Sequence, residues 1–293
     1  MCIFSQRIDH VGSTRIFVAD LGNGVHATAY QMAFRAAEPV AMILPVPTLK
    51  GSGDEALAFV NFGGYDNFFK DLARCFPRPR GKPSGCCYGV AQAPLAKRLR
   101  VHKIGDYEAT YVPSLADFHR LDPRFRLPDS AWETLPDYHD FGFAVFQLRP
   151  GRGTQRVHPI AYRYPAECPE ELFFPTVHVH DGGRAEPEAA FDHDLYTQAS
   201  RITPERGWAW RIGSLLPGEV MDIGRSQGLV TPDVPLRRLK LQGEYPNADV
   251  VALPGKDGML AEARPVRNAT GLGESMRWEV FLGLRKVRYD GSY

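Results

Sequence analysis

The sequence predicts an α+β domain dominated by antiparallel sheet, with two packed sheets and a few short peripheral helices. Three observations carry that prediction. Runs rich in β-branched and aromatic residues, many alternating apolar with polar, recur along the chain. With 28 glycines and 24 prolines in 293 residues, turn chemistry is available after nearly every run. Helical spacing of apolar residues is confined to a few short stretches.

The first strands are CIFSQRI, TRIFVADL (14–21) and VHATAYQMAF (25–34). Gly22-Asn23-Gly24 between the last two is a hairpin signal, because a tight turn needs residues that tolerate positive φ. VAMILPVP (40–47) is a short apolar run. Pro45 and Pro47 cannot donate to a ladder, so this strand is expected to end there or lie at an edge. GYDNFFKDLARCF (64–76) places Phe68, Phe69, Leu72 and Phe76 at helical spacing, and Pro77 stops it. The Pro/Gly/basic stretch 77–89 reads as a loop. Residues 99–113 read as two strands around Gly105-Asp106. SLADFHRL (114–121), with Ser114 as cap and Asp117 three residues on, and DSAWETL (129–135) are short helical segments.

FGFAVFQLRP (141–150), RVHPIAYRYP (156–165) and LFFPTVHVHD (172–181) are predicted to be three successive antiparallel strands, since six-residue connections suffice for hairpins. Residues 218–229 read as helical, and 236–254 and 278–289 return to strand. No repeat, low-complexity tract or linker divides the chain, so one domain over 1–293 is expected, with a subdivision near 200 as the alternative.

Composition excludes several function classes. Hydrophobic content is 44% and charged content 24%, as in packed globular proteins. Lys plus Arg is 35 against 34 for Asp plus Glu. That balance gives no electrostatic basis for nucleic-acid or anionic-membrane binding. No apolar run reaches bilayer length, and no basic-then-apolar leader precedes the first strand, so a cytoplasmic protein is expected. The cysteines are Cys2, Cys75, Cys86, Cys87 and Cys168, without CxxC spacing, which argues against a disulfide framework or a four-cysteine zinc site. No GxSxG or HExxH motif occurs.

Two constellations carry chemistry. The first is FFPTVHVHDG (173–182). Strand side chains alternate, so His178 and His180 share a face. If this strand forms a hairpin with 156–165, opposed residue numbers sum to a constant. A sum near 336 sets His158 opposite His178, and one near 338 sets it opposite His180. Opposed Cβ atoms lie about 4.5–5.5 Å apart. His193, in FDHDLY beside Asp192, could return to the site from the next segment. Three histidines with a nearby carboxylate suit a divalent metal (zinc, iron or manganese), and an activated water would support hydrolysis. The competing reading is a half-solvated strand face with ordinary histidines.

The second constellation is Cys2. Removal of Met1 would expose an amine able to serve as base for the Cys2 thiol, the arrangement of N-terminal nucleophile hydrolases. The Met-Cys opening also resembles that of glutamine amidotransferases, except that Ile3 stands where those enzymes carry glycine. A third reading is a non-enzymatic binding or assembly protein, with a protein partner or a second copy of itself.

The segments MCIFS, TRIF, AYQMAF, AMILPVPT, YDNFFKDL, FRLPDSAWETLP, DFGFAVFQL, HPIAYRYP, FFPTVHVHDG and FDHDLY together resemble a family of uncharacterised bacterial proteins. AMILPVP is also similar to a broader bacterial domain of unknown function. The resemblance covers most of the first two hundred residues. It implies that Cys2, His158, His178, His180 and His193 lie in recurring segments, and it implies no activity.

Overall fold

The computed structural model describes residues 3–77, 102–104, 107–135, 138–151, 153–156, 158–198, 210–254 and 260–265. The strands in chain order are β1 (Ile3–Phe4), β2 (His10–Asp20), β3 (Val25–Arg35), β4 (Val40–Val46), β5 (Ala58–Val60), β6 (His102–Ile104), β7 (Tyr107–Val112), β8 (Gly142–Leu148), β9 (Gln155–Arg156), β10 (Ile160–Pro165), β11 (Leu172–Phe174), β12 (Glu188–Gln198), β13 (Arg211–Ile212), β14 (Arg237–Pro246), β15 (Val250–Pro254) and β16 (Leu260–Pro265). Three short helices accompany them: α1 (Phe68–Arg74), α2 (Asp129–Trp132) and α3 (Pro217–Val220). The β-rich α+β class read from the sequence is the class observed.

The strands form a five-stranded sheet, β1-β4-β8-β7-β6, and an eight-stranded sheet, β13-β14-β12-β2-β3-β10-β5, with β9 added against β3. A smaller sheet runs β11-β15-β16. Among the described strands pairing is antiparallel except between β12 and β2, which run parallel.

Alternation along each strand divides its side chains between two faces, and both faces of both large sheets are buried. Met42, Leu44 and Phe146 of the five-stranded sheet share one core with Ile16, Val18, Tyr30, Tyr162, Leu195, Leu239 and Leu241 of the eight-stranded sheet. The outer face of the larger sheet (Phe17, Ala27, Ala29, Tyr196) is covered by Phe68, Phe69 and Leu72 of α1 and by residues 221–236. The outer face of the smaller sheet (Ala41, Ile43, Phe143, Val145) is covered by the short helical segments around Phe118 and Ala131. This two-sided burial explains why β4 reads as an unbroken apolar run: all seven of its residues are buried.

Several local expectations match the structure, while the helix expected over 218–229 forms only as α3 and a 3-10 turn at Gly224–Ser226. Gly22, Asn23 and Gly24 all have positive φ in the β2–β3 turn. The helix over 64–76 forms as α1, and Ser114 donates its hydroxyl to Asp117 at the start of a 3-10 turn over Leu115–Arg120. β4 ends at Val46, and β1 covers it only at Met42 and Ile43, so Pro45 needs no partner on that side.

One expectation on pairing is corrected. The three segments 141–165 and 172–181 do not form successive hairpins. β8 pairs with β4 and β7, β10 with β3 and β5, and β11 with β15, so the three lie in three different sheets. The chain crosses the sandwich instead of turning back beside itself. The loop from residue 78 onward with Cys86 and Cys87, and the strand expected over 278–289, lie outside the described residues. No helix among the described residues is long and apolar enough to cross a membrane.

Candidate functional site

The ladder of β11 stops at Phe174, and the histidine segment that follows is held by side chains instead. The Asn247 side chain accepts from the His178 N–H at 2.7 Å and donates to the His178 carbonyl at 2.9 Å. Asp249 Oδ1 accepts from the N–H groups of Thr176 and Val177 at 2.6 and 2.9 Å, and its other oxygen accepts from the Tyr138 hydroxyl. On the far side, the Phe4 N–H donates to the Val179 carbonyl and the Ile8 N–H to the His180 carbonyl. The segment therefore has two sets of backbone supports without lying in a regular sheet.

This framework places His178 and His180 together, as the shared face predicts. Their ring centroids are 5.2 Å apart with planes 20° apart. The ring of His193, on β12, also stacks on His178, at 5.3 Å and 18°. Phe191 packs on His178 at 4.3 Å, and Phe4 meets His180 edge-on at 6.1 Å. His193 shares the inner face of β12 with Phe191 and Leu195, so His193 and His178 are buried against the main core and His180 is half-buried beside them.

Burial sets their electrostatics. Desolvation pushes His178 and His193 far below the ordinary histidine range and lowers His180 to about 4. All three are neutral at pH 7. Nε2 of both His178 and His180 is buried without a hydrogen-bond partner. An orphaned buried polar atom costs about 1–3 kcal/mol, so two on neighbouring rings call for a physical account.

Thr14 adds a third orphan, one that no residue spacing signals. It lies beside His193 in the parallel β12–β2 register and shares the inner face of β2 with Ile16 and Val18. Its hydroxyl is buried without a partner. A bulge between Gly12 and Arg15 sets its aim: Ser13 has φ +52°, and its N–H donates to Asp192 Oδ2 at 2.9 Å. Asp192, expected near the metal, is exposed and braces this bulge. Asp181, beside His180, accepts instead from the Gly183 N–H.

His158 is not brought in by the expected hairpin. It precedes β10, which lies beyond β2 and β3 from the strand carrying His193. Three inter-strand steps at about 4.8 Å each put it roughly 14 Å away, beyond the reach of one shared ion. Its Nδ1 lies 3.0 Å from the Pro159 carbonyl. Among the described residues no group of three or more His, Cys, Asp or Glu side chains is arranged to hold a metal ion as placed. The geometric reason is the stacking: near-parallel rings hold their nitrogen lone pairs in near-parallel planes. Cys2 lies outside the described residues.

No family model matches the chain. Among solved structures it is similar to baculovirus P35, at 13% identity and a TM-score of 0.46, covering 85% of this chain and 98% of that one. It is also similar to a chain of the caspase-8/P35 complex, at 11% identity and a TM-score of 0.43, over 82% and 95% of the two chains. A mutated baculovirus P35 after caspase cleavage aligns at 11% identity and a TM-score of 0.41, over 81% and 98%. At these scores the likeness carries no functional argument.

Proposed function

We propose that the protein binds a divalent transition metal of the zinc class through His178, His180 and His193, in a largely buried site that stabilises the fold. The observation that carries this reading is the pair of buried, unpartnered Nε2 atoms on His178 and His180. Neutral imidazole nitrogen is a preferred zinc donor, and burial already holds all three rings in the neutral form that ligation requires. Uptake requires the rings to turn about their side-chain torsions until three nitrogens face one point about 2.0–2.1 Å away. A structural role fits better than a hydrolytic one. His178 and His193 are 6% and 1% exposed and His180 is half-buried, so the fourth zinc position, which three histidines leave for a water, has no wide approach for a substrate. His158 is not part of the proposed set.

The test is metal content by elemental analysis on protein purified without chelator, together with thermal unfolding. Near-stoichiometric metal is expected, falling in His178→Ala. EDTA should lower the melting temperature and zinc restore it. Metal-free protein whose melting temperature responds to neither EDTA nor zinc overturns the reading and leaves three neutral core histidines.

A second reading, cysteine chemistry at Cys2, is favoured by one observation. Ile3 bridges to Val179, between the two histidines of the segment, so the residue next to Cys2 lies against the imidazole site. Intact-mass analysis after brief alkylation tests it. Loss of Met1 with selective labelling of Cys2 supports this reading, and retained Met1 ends it.

A further inference from the structure

At the other end of the same inner face, one row of residues crosses four strands. Ile212 of β13 pairs with Arg237 of β14, Arg237 pairs with Thr197 of β12, and Thr197 pairs with Val18 of β2. Directly paired residues point to the same side of a sheet. Burial falls along the row toward the edge: Val18 and Thr197 are fully buried, Arg237 is 7% exposed and Ile212 is 38% exposed.

Two features of this row lack a counterpart. Arg237 carries a charge, yet no carboxylate pairs with it among the described residues. Its flanking neighbours on that face, Leu195 and Leu239, are apolar core residues. Desolvation alone bears on its ionisation, pushing its pKa down. Arg238 points the other way, with its guanidinium 4.6 Å over the ring of Phe76. Directly opposite Arg237, the Thr197 hydroxyl is buried and has no hydrogen-bond partner. A largely buried cation that no carboxylate among the described residues neutralises and a buried hydroxyl without a hydrogen-bond partner are each unfavourable alone. Side by side, they offer the donors that an oxyanion takes up: a guanidinium fork for two oxygens and a hydroxyl for one.

We propose that Arg237 and Thr197 form a binding site for a small oxyanion, a carboxylate or a phosphate, entered from the β13 edge past Ile212. The anion accepts from the guanidinium N–H groups and from the Thr197 hydroxyl, neutralising the charge and giving the buried hydroxyl a partner. The site lies four residues along β12 from His193, roughly 13 Å at strand rise, so it is separate from the imidazole site and does not depend on the metal reading.

Calorimetric titration of the full chain with inorganic phosphate and with acetate, at constant ionic strength against chloride, tests the proposal. Saturable binding of at least one of the two is expected, with a matching rise in melting temperature. Thr197→Val keeps the side-chain shape, removes one donor to a charged acceptor, and should weaken binding roughly tenfold. Arg237→Met keeps the apolar stem and should abolish binding. If Arg237→Met fails to fold, Thr197→Val still decides. Equal affinity in Thr197→Val and wild type, persistent binding in Arg237→Met, or no binding of either anion by wild type overturns the proposal. The difference between the phosphate and acetate arms tells which oxyanion the site takes.

Discussion

Asn247 is the residue on which the imidazole site most depends, although it contributes nothing to the chemistry. Its carboxamide satisfies the N–H and the carbonyl of His178 and also donates to the Glu186 carbonyl at 2.9 Å. Asn247→Ala would remove all three contacts at once. Allowing for solvent reaching the Glu186 carbonyl, a loss of roughly 2–4 kcal/mol is expected in urea unfolding. Asn247→Asp is a sharper probe, since a carboxylate can accept from the His178 N–H but cannot donate to either carbonyl. It should recover only part of that loss. Asp249 behaves differently. One of its oxygens takes two N–H groups and the other takes the Tyr138 hydroxyl, so Asp249→Asn can fit with the amide donating to Tyr138. Its expected effect is a small stability change and the disappearance of a titration centred at about 6, where burial holds this carboxyl.

At the level of strands, the β2 bulge shows how an exposed residue controls an interior one. Asp192 accepts from the Ser13 N–H, the extra residue re-aims Thr14, and Thr14 meets His193. Asp192→Ala is expected to cost about 1 kcal/mol from the lost bond. It should also shift the NMR resonances of His193 and His178, and unchanged imidazole signals would show that the bulge does not control the stack. The same element separates what the sequence discloses from what it hides. The β2–β3 turn, α1 and the shared face of His178 and His180 are local, fixed by φ preferences and spacing, and they are legible. The partner of β10 is not. A six-residue connection permits a hairpin but does not compel one, and a strand apolar on both faces fits either sheet of a sandwich. The hairpin that spacing suggests therefore sets His158 beside His178 by a pairing the chain does not make. Thr14 and Asn247 reach the site through register and loop closure, which leave no mark in residue spacing.

Across the whole molecule, burying histidines makes stability depend on pH. His26, His178, His180 and His193 are all shifted down in the fold from 6.5, with desolvation the largest cause in each. As pH falls below 6.5 the unfolded chain takes up protons that the folded chain refuses, so the fold loses stability on acidification. Each histidine that stays neutral contributes a slope of about 1.4 kcal/mol per pH unit. His180 stops contributing near 4, where it protonates in place. Asp249 acts in the opposite sense. Its folded value is raised from 3.8 to about 6, so its contribution is present below 3.8 and lost as pH rises through 6. Between those limits it offsets part of one histidine. His178 and His193, with His180 down at about 4 and His26 acting in the same sense, outweigh one carboxyl and leave a net fall of stability as pH drops from about 6.5 toward 4. A series of urea unfolding curves from pH 7.5 to 4.5 reads this directly. In His178→Phe, which replaces a buried ring by a buried ring, the slope should drop by about one proton's worth. An unchanged slope in that variant would mean that His178 is charged or solvated in the fold, and the account of a neutral, dry imidazole stack would then be wrong whether or not a metal binds there.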